Sequence, residues 1–94
     1  MQNQLDIDCG GVLDIAGIAQ WWGQAQTALQ TASALRVKAN ELQRIDAAGL
    51  QAILALFLAA NKREIPIQWE SSSPALQQAA TLTGLTELLQ LSNY

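Results

Sequence analysis

The sequence predicts an α/β fold: a mixed four-stranded sheet packed with about four helices, in the order β-β-α-β-α-β-α-α. Three features carry that prediction. Short runs alternate apolar and polar residues, longer runs place apolar residues three and four apart, and the two kinds take turns along the chain. Ninety-four residues, half of them apolar, suit one small domain spanning 1–94 around a single core.

Leu5, Ile7 and Cys9 alternate with Asp6 and Asp8, the pattern of a half-buried first strand. Gly10-Gly11 accepts positive φ at both positions and predicts a tight hairpin, with Val12-Leu13 as the short returning strand. That hairpin is what makes the predicted sheet mixed; the later crossovers are expected to be parallel and right-handed. Asp14 is placed to cap a helix whose stripe is Ile15, Ile18, Ala19, Trp22, Ala25 and Leu29. Trp22 is thereby assigned to the core. Trp21, about 100° further round, is either core or an exposed indole that anchors an interface.

Leu35, Val37 and Ala39 alternate with Arg36 and Lys38 as the next strand, and Asn40 to Arg44 reads as a polar connector. Leu50, Ile53, Leu54, Phe57 and Leu58 then continue at helical spacing with alanine on most other sides. A helix so apolar around its circumference is expected to be the most buried element, ending near Asn61. Lys62-Arg63 follows as charge complementing the helix C-terminus. Ile65, Ile67 and Trp69 make a strand carrying Pro66, which puts it at a sheet edge or puts Pro66 at its beginning. Ser73-Pro74 is a helix start, cap then first turn, and Gly84 supplies the stop after Thr83. Leu85 to Leu91 reads as a short final helix. Met1 and the glutamines Gln24, Gln26, Gln30, Gln77 and Gln78 read as solvated surface.

Composition excludes several functions. The chain has no histidine, so the commonest general base and metal ligand are missing, and a single cysteine leaves no zinc constellation. No GxxxxGK phosphate loop and no GxSxG elbow occurs. Asp6 and Asp8 share a strand face, where two solvated carboxylates need no catalytic explanation. No enzyme, cofactor or metal is expected. A net charge of −3 and a pI of about 4.5 argue against a nucleic-acid partner. No basic-then-apolar leader opens the chain, and the run from Ala52 to Ala60 falls far short of the ~20 residues that span a bilayer, so direct membrane insertion is not expected. Cys9 pairs with nothing in the chain and fits a reducing cytoplasm.

The junction Ile45-Asp46-Ala47-Ala48-Gly49-Leu50 is the most informative segment. Asp46 is placed as an N-cap, where its carboxylate accepts backbone N–H groups from the first turn. Gly49 within that turn costs roughly 1 kcal/mol against alanine, which calls for a backbone or a partner surface coming very close.

In order and spacing, three segments resemble the STAS domain family, the fold of bacterial anti-sigma factor antagonists, over about Leu5 to Leu91. Gly11-Val12-Leu13-Asp14-Ile15 is similar to that family's G-x-L-D segment. Ile45 to Leu50 resembles its D-[ST]-[SAT]-G-L signature, and Ser73-Pro74-Ala75-Leu76 with Leu82-Thr83-Gly84-Leu85 resembles its closing helices. The resemblance implies a STAS-like sheet and a cytoplasmic, non-enzymatic interaction module for a protein partner.

It also implies a docking face made of Asp14, Ile15, Asp46, Ala47, Ala48, Gly49, Leu50 and Gln51. In such families a GHKL-type serine kinase binds this face and phosphorylates the hydroxyl residue after the aspartate. Here that position is Ala47, so no phosphoacceptor exists there, and no Ser, Thr or Tyr occurs from Arg44 to Leu54. The expected partner is a GHKL-type anti-sigma kinase or another signalling protein, met by an antagonist-like adaptor without the phospho-switch. The alternative is a STAS subunit of an ABC-type phospholipid (Mla-like) transport complex, whose partner is an ABC ATPase and whose members usually carry Thr at this position.

Overall fold

The computed structural model describes residues 3–91. It contains β1 (Gln4–Asp8), β2 (Val12–Leu13), α1 (Ile18–Thr31), β3 (Ala34–Lys38), β4 (Arg44–Ile45), α2 (Ala47–Lys62), β5 (Ile67–Ser71) and α3 (Pro74–Thr83). The strands form a three-stranded sheet in the order β1-β3-β5 and a separate pair, β2-β4. Every pairing among the described residues is parallel, with Asp6 opposite Arg36, Val37 opposite Trp69 and Leu13 opposite Ile45. Met1, read as surface, lies outside the described residues.

Alternation in the sequence becomes the two faces of the larger sheet. Ile7, Cys9, Leu35, Val37, Ala39, Ile67 and Trp69 point into the core. Asp6, Asp8, Gln68 and Glu70 point away and are exposed, as expected of a sheet covered on one face. The ion pair between Arg36 Nε and Asp6 Oδ1, at 3.0 Å, spans strands on that outer face. β5 is an edge strand and Pro66 immediately precedes it, so both consequences of the proline are realised. Pro66 still contributes its carbonyl, which accepts the Leu35 N–H at 2.8 Å.

Among the described residues β1 and β2 do not pair as a hairpin, and the strands form two parallel sheets instead of the expected mixed four-stranded one. Cys9 donates its N–H to the Lys38 carbonyl at 2.9 Å, carrying the β1–β3 pairing past the end of β1. The Gly11 carbonyl then accepts N–H groups from Gln43 and Arg44, drawing Val12-Leu13 onto the segment read as a connector. That segment therefore holds β4, and Leu42 within it is 1% exposed.

The first helix starts at Ile18 rather than beside Asp14. The Asp14 carboxylate accepts the Ala16 and Gly17 N–H groups at 3.1 and 3.2 Å, closing a turn before the helix begins. Its stripe is rotated accordingly: Trp21, Ala25, Ala28 and Leu29 are buried, while Ile15 and Ala19 are exposed. Trp21, not Trp22, is the core indole. Its Nε1–H reaches the Asp8 carbonyl at 3.3 Å, satisfying the one polar atom of the ring, and Trp22 lies half-buried beside it.

α2 runs through the core, burying Leu50, Ile53, Leu56, Phe57 and Ala60. Leu58 departs from the expected stripe and is 56% exposed, because it sits one position past the inward row ending Phe57–Ala60. Arg63 caps this helix and donates to the Leu29 carbonyl at 3.3 Å, tying the C-terminal ends of α1 and α2 together. α3 begins with Ser73 Oγ accepting the Leu76 N–H at 3.2 Å and ends at Gly84, whose φ is +73°. Gln24, Gln26, Gln30 and Gln78 are exposed as expected, whereas Gln77 is half-buried and donates to Ser72 Oγ.

The last expected helix is instead a set of turns. Leu89 N–H bonds to the Leu85 carbonyl, but Leu91 N–H returns to Thr86, and Gln90 takes a φ of +58°, which stops the helix after one turn. Tertiary packing fixes this segment: Leu89 and Leu91 are buried, and the Leu89 carbonyl accepts Trp69 Nε1–H at 2.7 Å. Trp69 also stacks on Phe57 at a centroid distance of 5.3 Å.

Candidate docking site

Asp46 is the hinge of the site. Its backbone is extended (φ −107°, ψ −175°), and Oδ1 accepts the Gly49 N–H at 2.9 Å, the N-cap bond expected of this residue. Oδ2 does something further: it accepts the Ile15 N–H at 3.0 Å, across thirty-one positions of sequence. One carboxylate therefore fixes both the start of α2 and the turn after β2. The Asp46 N–H adds a bond of 3.3 Å to the Leu13 carbonyl.

Gly49 explains how the two segments come so close. A Cβ at this position would overlap the Leu13 carbonyl oxygen and lie 2.8 Å from Ile45 Cγ1. The compensation that the sequence demanded is thus another backbone of the same chain. The position is also buried, so Gly49 lets α2 rest on β2.

The cap holds Asp46 below its ordinary carboxyl pKa of 3.8. The Gly49 N–H is the largest cause; partial desolvation opposes it, and the Ile15 N–H adds to it. The group is an anion at neutral pH. Among the described residues neither Asp14, Arg44 nor Asp46 forms an ion pair.

The residues expected on the docking face divide into three sets. Ile15, Asp46, Ala47 and Gln51 are exposed, with Asp14 and Ala48 half-buried beside them. Gly49 and Leu50 lie beneath, Leu50 at 3% exposure in the core, so they shape the face from below. Asp14, Ile15 and Asp46 also line an open groove of about 400 Å³, whereas Ala47, Ala48 and Gln51 stand on the first turns of α2 outside it.

The far wall of that groove is α3, through Ala75, Gln78, Ala79 and Leu82. The sequence reading missed this wall. Its signal was available: Leu76 and Ala80 are the buried positions of α3, and Leu82 falls off their stripe, so a large apolar residue was bound to face outward. Leu82 is 79% exposed.

Among the described residues that line the groove and the face there is no Ser, Thr, Cys or His. Among the described residues, no group of three or more His, Cys, Asp and Glu side chains is placed to hold a metal ion. Cys9 is buried, and its thiol is pushed up to about 12 by desolvation and then by the neighbouring Asp8 carboxylate, which makes it inert rather than nucleophilic. Among the described residues no helix is long and apolar enough to cross a membrane.

Comparison with known protein families matches residues 2–90 to the family described as Mlab, STAS domain. Neither a curated protein nor a solved structure matches the chain.

Proposed function

This chain belongs to the STAS domain family, and from that premise we propose that it is a cytoplasmic docking module that binds a protein regulator through the surface around Asp14 and Asp46–Gln51. The family's general role as a non-enzymatic interaction module supports the class of function. One observation supports the face: the Asp46 carboxylate clamps α2 to the turn after β2, so Ile15, Ala47 and Gln51 are presented together on a fixed backbone. Preorganised contacts of this kind lower the ordering cost of binding.

The module works without a phospho-switch at Ala47. That residue is exposed at the first position of α2, where a phosphate would add a charge of about −1.5 to −2 beside an ionised Asp46. With a methyl side chain there, the surface stays in its binding-competent form. The resemblance points to a GHKL-type kinase or another signalling protein as the regulator. A second reading, a subunit docking an ABC ATPase in an Mla-like phospholipid transport complex, draws its support from the family description itself.

Affinity purification from the native cell, with wild type beside Ala47→Arg, tests the proposal. Asp46 is a poor choice for substitution, since losing its carboxylate loosens two backbone segments. A kinase-like or signalling partner retained by wild type and lost with Ala47→Arg supports the first reading; an ABC ATPase lost in the same way supports the second. Binding untouched by Ala47→Arg overturns the face, and release of the wild-type partner by phosphorylation of this chain overturns the absence of a switch.

A further inference from the structure

The groove beside the docking face carries an inference about what the partner brings to it. We propose that it receives an amphipathic segment of a protein partner, seating an apolar side chain against Ile15 and Leu82 and a Lys or Arg against Asp14 and Asp46. The inference rests on the docking reading above and adds the chemistry of the occupant. Two large apolar side chains among the groove's lining are mostly exposed, Ile15 at 71% and Leu82 at 79%. The small side chains of Ala75 and Ala79 floor the α3 side, leaving a cleft of about 400 Å³ in which another side chain can lie.

Charge selects the occupant. Asp14 and Asp46 face the groove against the single cation Arg44, and the chain as a whole carries −3. Asp46 stays ionised because its cap favours the anion. Its two oxygens each accept a backbone N–H, and neither it nor Asp14 has an ion-pair partner among the described residues. A basic side chain entering from a partner therefore meets charges already fixed in place. The same balance disfavours an anionic lipid surface and a second acidic copy of this chain.

The test titrates the intact isotope-labelled protein with three synthetic helical peptides: one of Leu and Lys, one of Leu and Glu, and one of Ser and Lys. The expected result is chemical-shift change centred on Ile15, Asp46 and Leu82 with the Leu/Lys peptide alone, and at least tenfold weaker binding to Leu82→Ser. Equal response to the Leu/Glu peptide, shifts away from the groove, binding to anionic phosphatidylglycerol vesicles without the Leu/Lys peptide response, or self-association through Ile15 would each overturn it. Leu82 is exposed and lies outside the first turns of α2, so Leu82→Ser should fold normally and separates the two ideas. A native partner lost with Ala47→Arg but retained at full affinity by Leu82→Ser overturns the groove and leaves the docking reading intact.

Discussion

Replacing two helical glycines by alanine should move stability in opposite directions, and the sign at each is set by what the new methyl group meets. Alanine is favoured over glycine in a helix by roughly 1 kcal/mol. At Gly23, inside α1, an added Cβ meets nothing within 4 Å, so most of that preference should be realised. At Gly49 the same Cβ would overlap the Leu13 carbonyl oxygen and crowd Ile45 Cγ1 at 2.8 Å. Overpacking of this kind costs about 1–3 kcal/mol, and the upper end applies because the obstructing atom is backbone and cannot rotate away. Moving Leu13 also strains its carbonyl's bond to the Asp46 N–H.

After subtracting the propensity gain, the net loss for Gly49→Ala is about 2 kcal/mol. For a domain of this size that lowers Tm by roughly 8–16 °C, while Gly23→Ala raises it by roughly 4–8 °C. Thermal unfolding of the three proteins, followed by far-ultraviolet circular dichroism, reads both. A Gly49→Ala protein melting at or above wild type would refute the close approach of α2 to β2. A fall for both variants would refute the use of helix propensity as the opposing effect.

Three further outcomes follow from the same structure. Because folding lowers the Asp46 pKa, its charge contributes stability that is complete above its unfolded value of 3.8 and is lost as pH falls through the lower folded value. The Tm gap between wild type and Asp46→Asn should therefore be constant at neutral pH and close in acid; a gap that widens in acid contradicts the cap. Cys9, buried and with its pKa raised to about 12, should resist thiol reagents in the native protein and react on unfolding, so rapid native labelling contradicts its placement. Trp69→Phe keeps an aromatic ring against Phe57 but strips the Leu89 carbonyl of its buried donor, which should cost about 1–3 kcal/mol and lower Tm; an unchanged Tm would show that bond to be dispensable.

What could be read from the sequence was whatever is decided locally. Asp46, Ser73-Pro74 and Gly84 each act through backbone groups a few residues away, and all three occupy the caps assigned to them. The alternation in Leu35-Arg36-Val37-Lys38-Ala39 likewise settles which face of β3 is buried. Long-range choices were not legible. A two-residue strand has no period, so nothing local could tell whether Val12-Leu13 would turn back on β1 or lie beside Arg44-Ile45. Trp21 and Trp22 are equal in hydrophobicity, and the Asp8 carbonyl decides between them. The site shows the same division. The Asp46 cap was visible, its second bond to Ile15 was not, and the wall supplied by Leu82 depends on where α3 packs.

That second bond changes how the docking face should be understood. Asp46 spends both carboxylate oxygens on its own backbone, one on Gly49 and one on Ile15, so its main effect on a partner is to position other residues and to supply a fixed negative field. Besides the carboxylates and Leu82 of the groove, the exposed side chains that it holds in place for a partner are Ile15, Ala47 and Gln51. Within the docking reading, the geometry of the clamp and the identity of the contacts are therefore separable. Ala47→Glu makes the separation measurable. A carboxylate in the first turn of a helix is favoured by the macrodipole, so Tm should not fall, yet the added charge beside Asp46 should weaken partner binding. Loss of binding together with a lower Tm would mean that the face and its clamp cannot be varied independently, and the unswitched surface would then owe its form to more than the Asp46 cap.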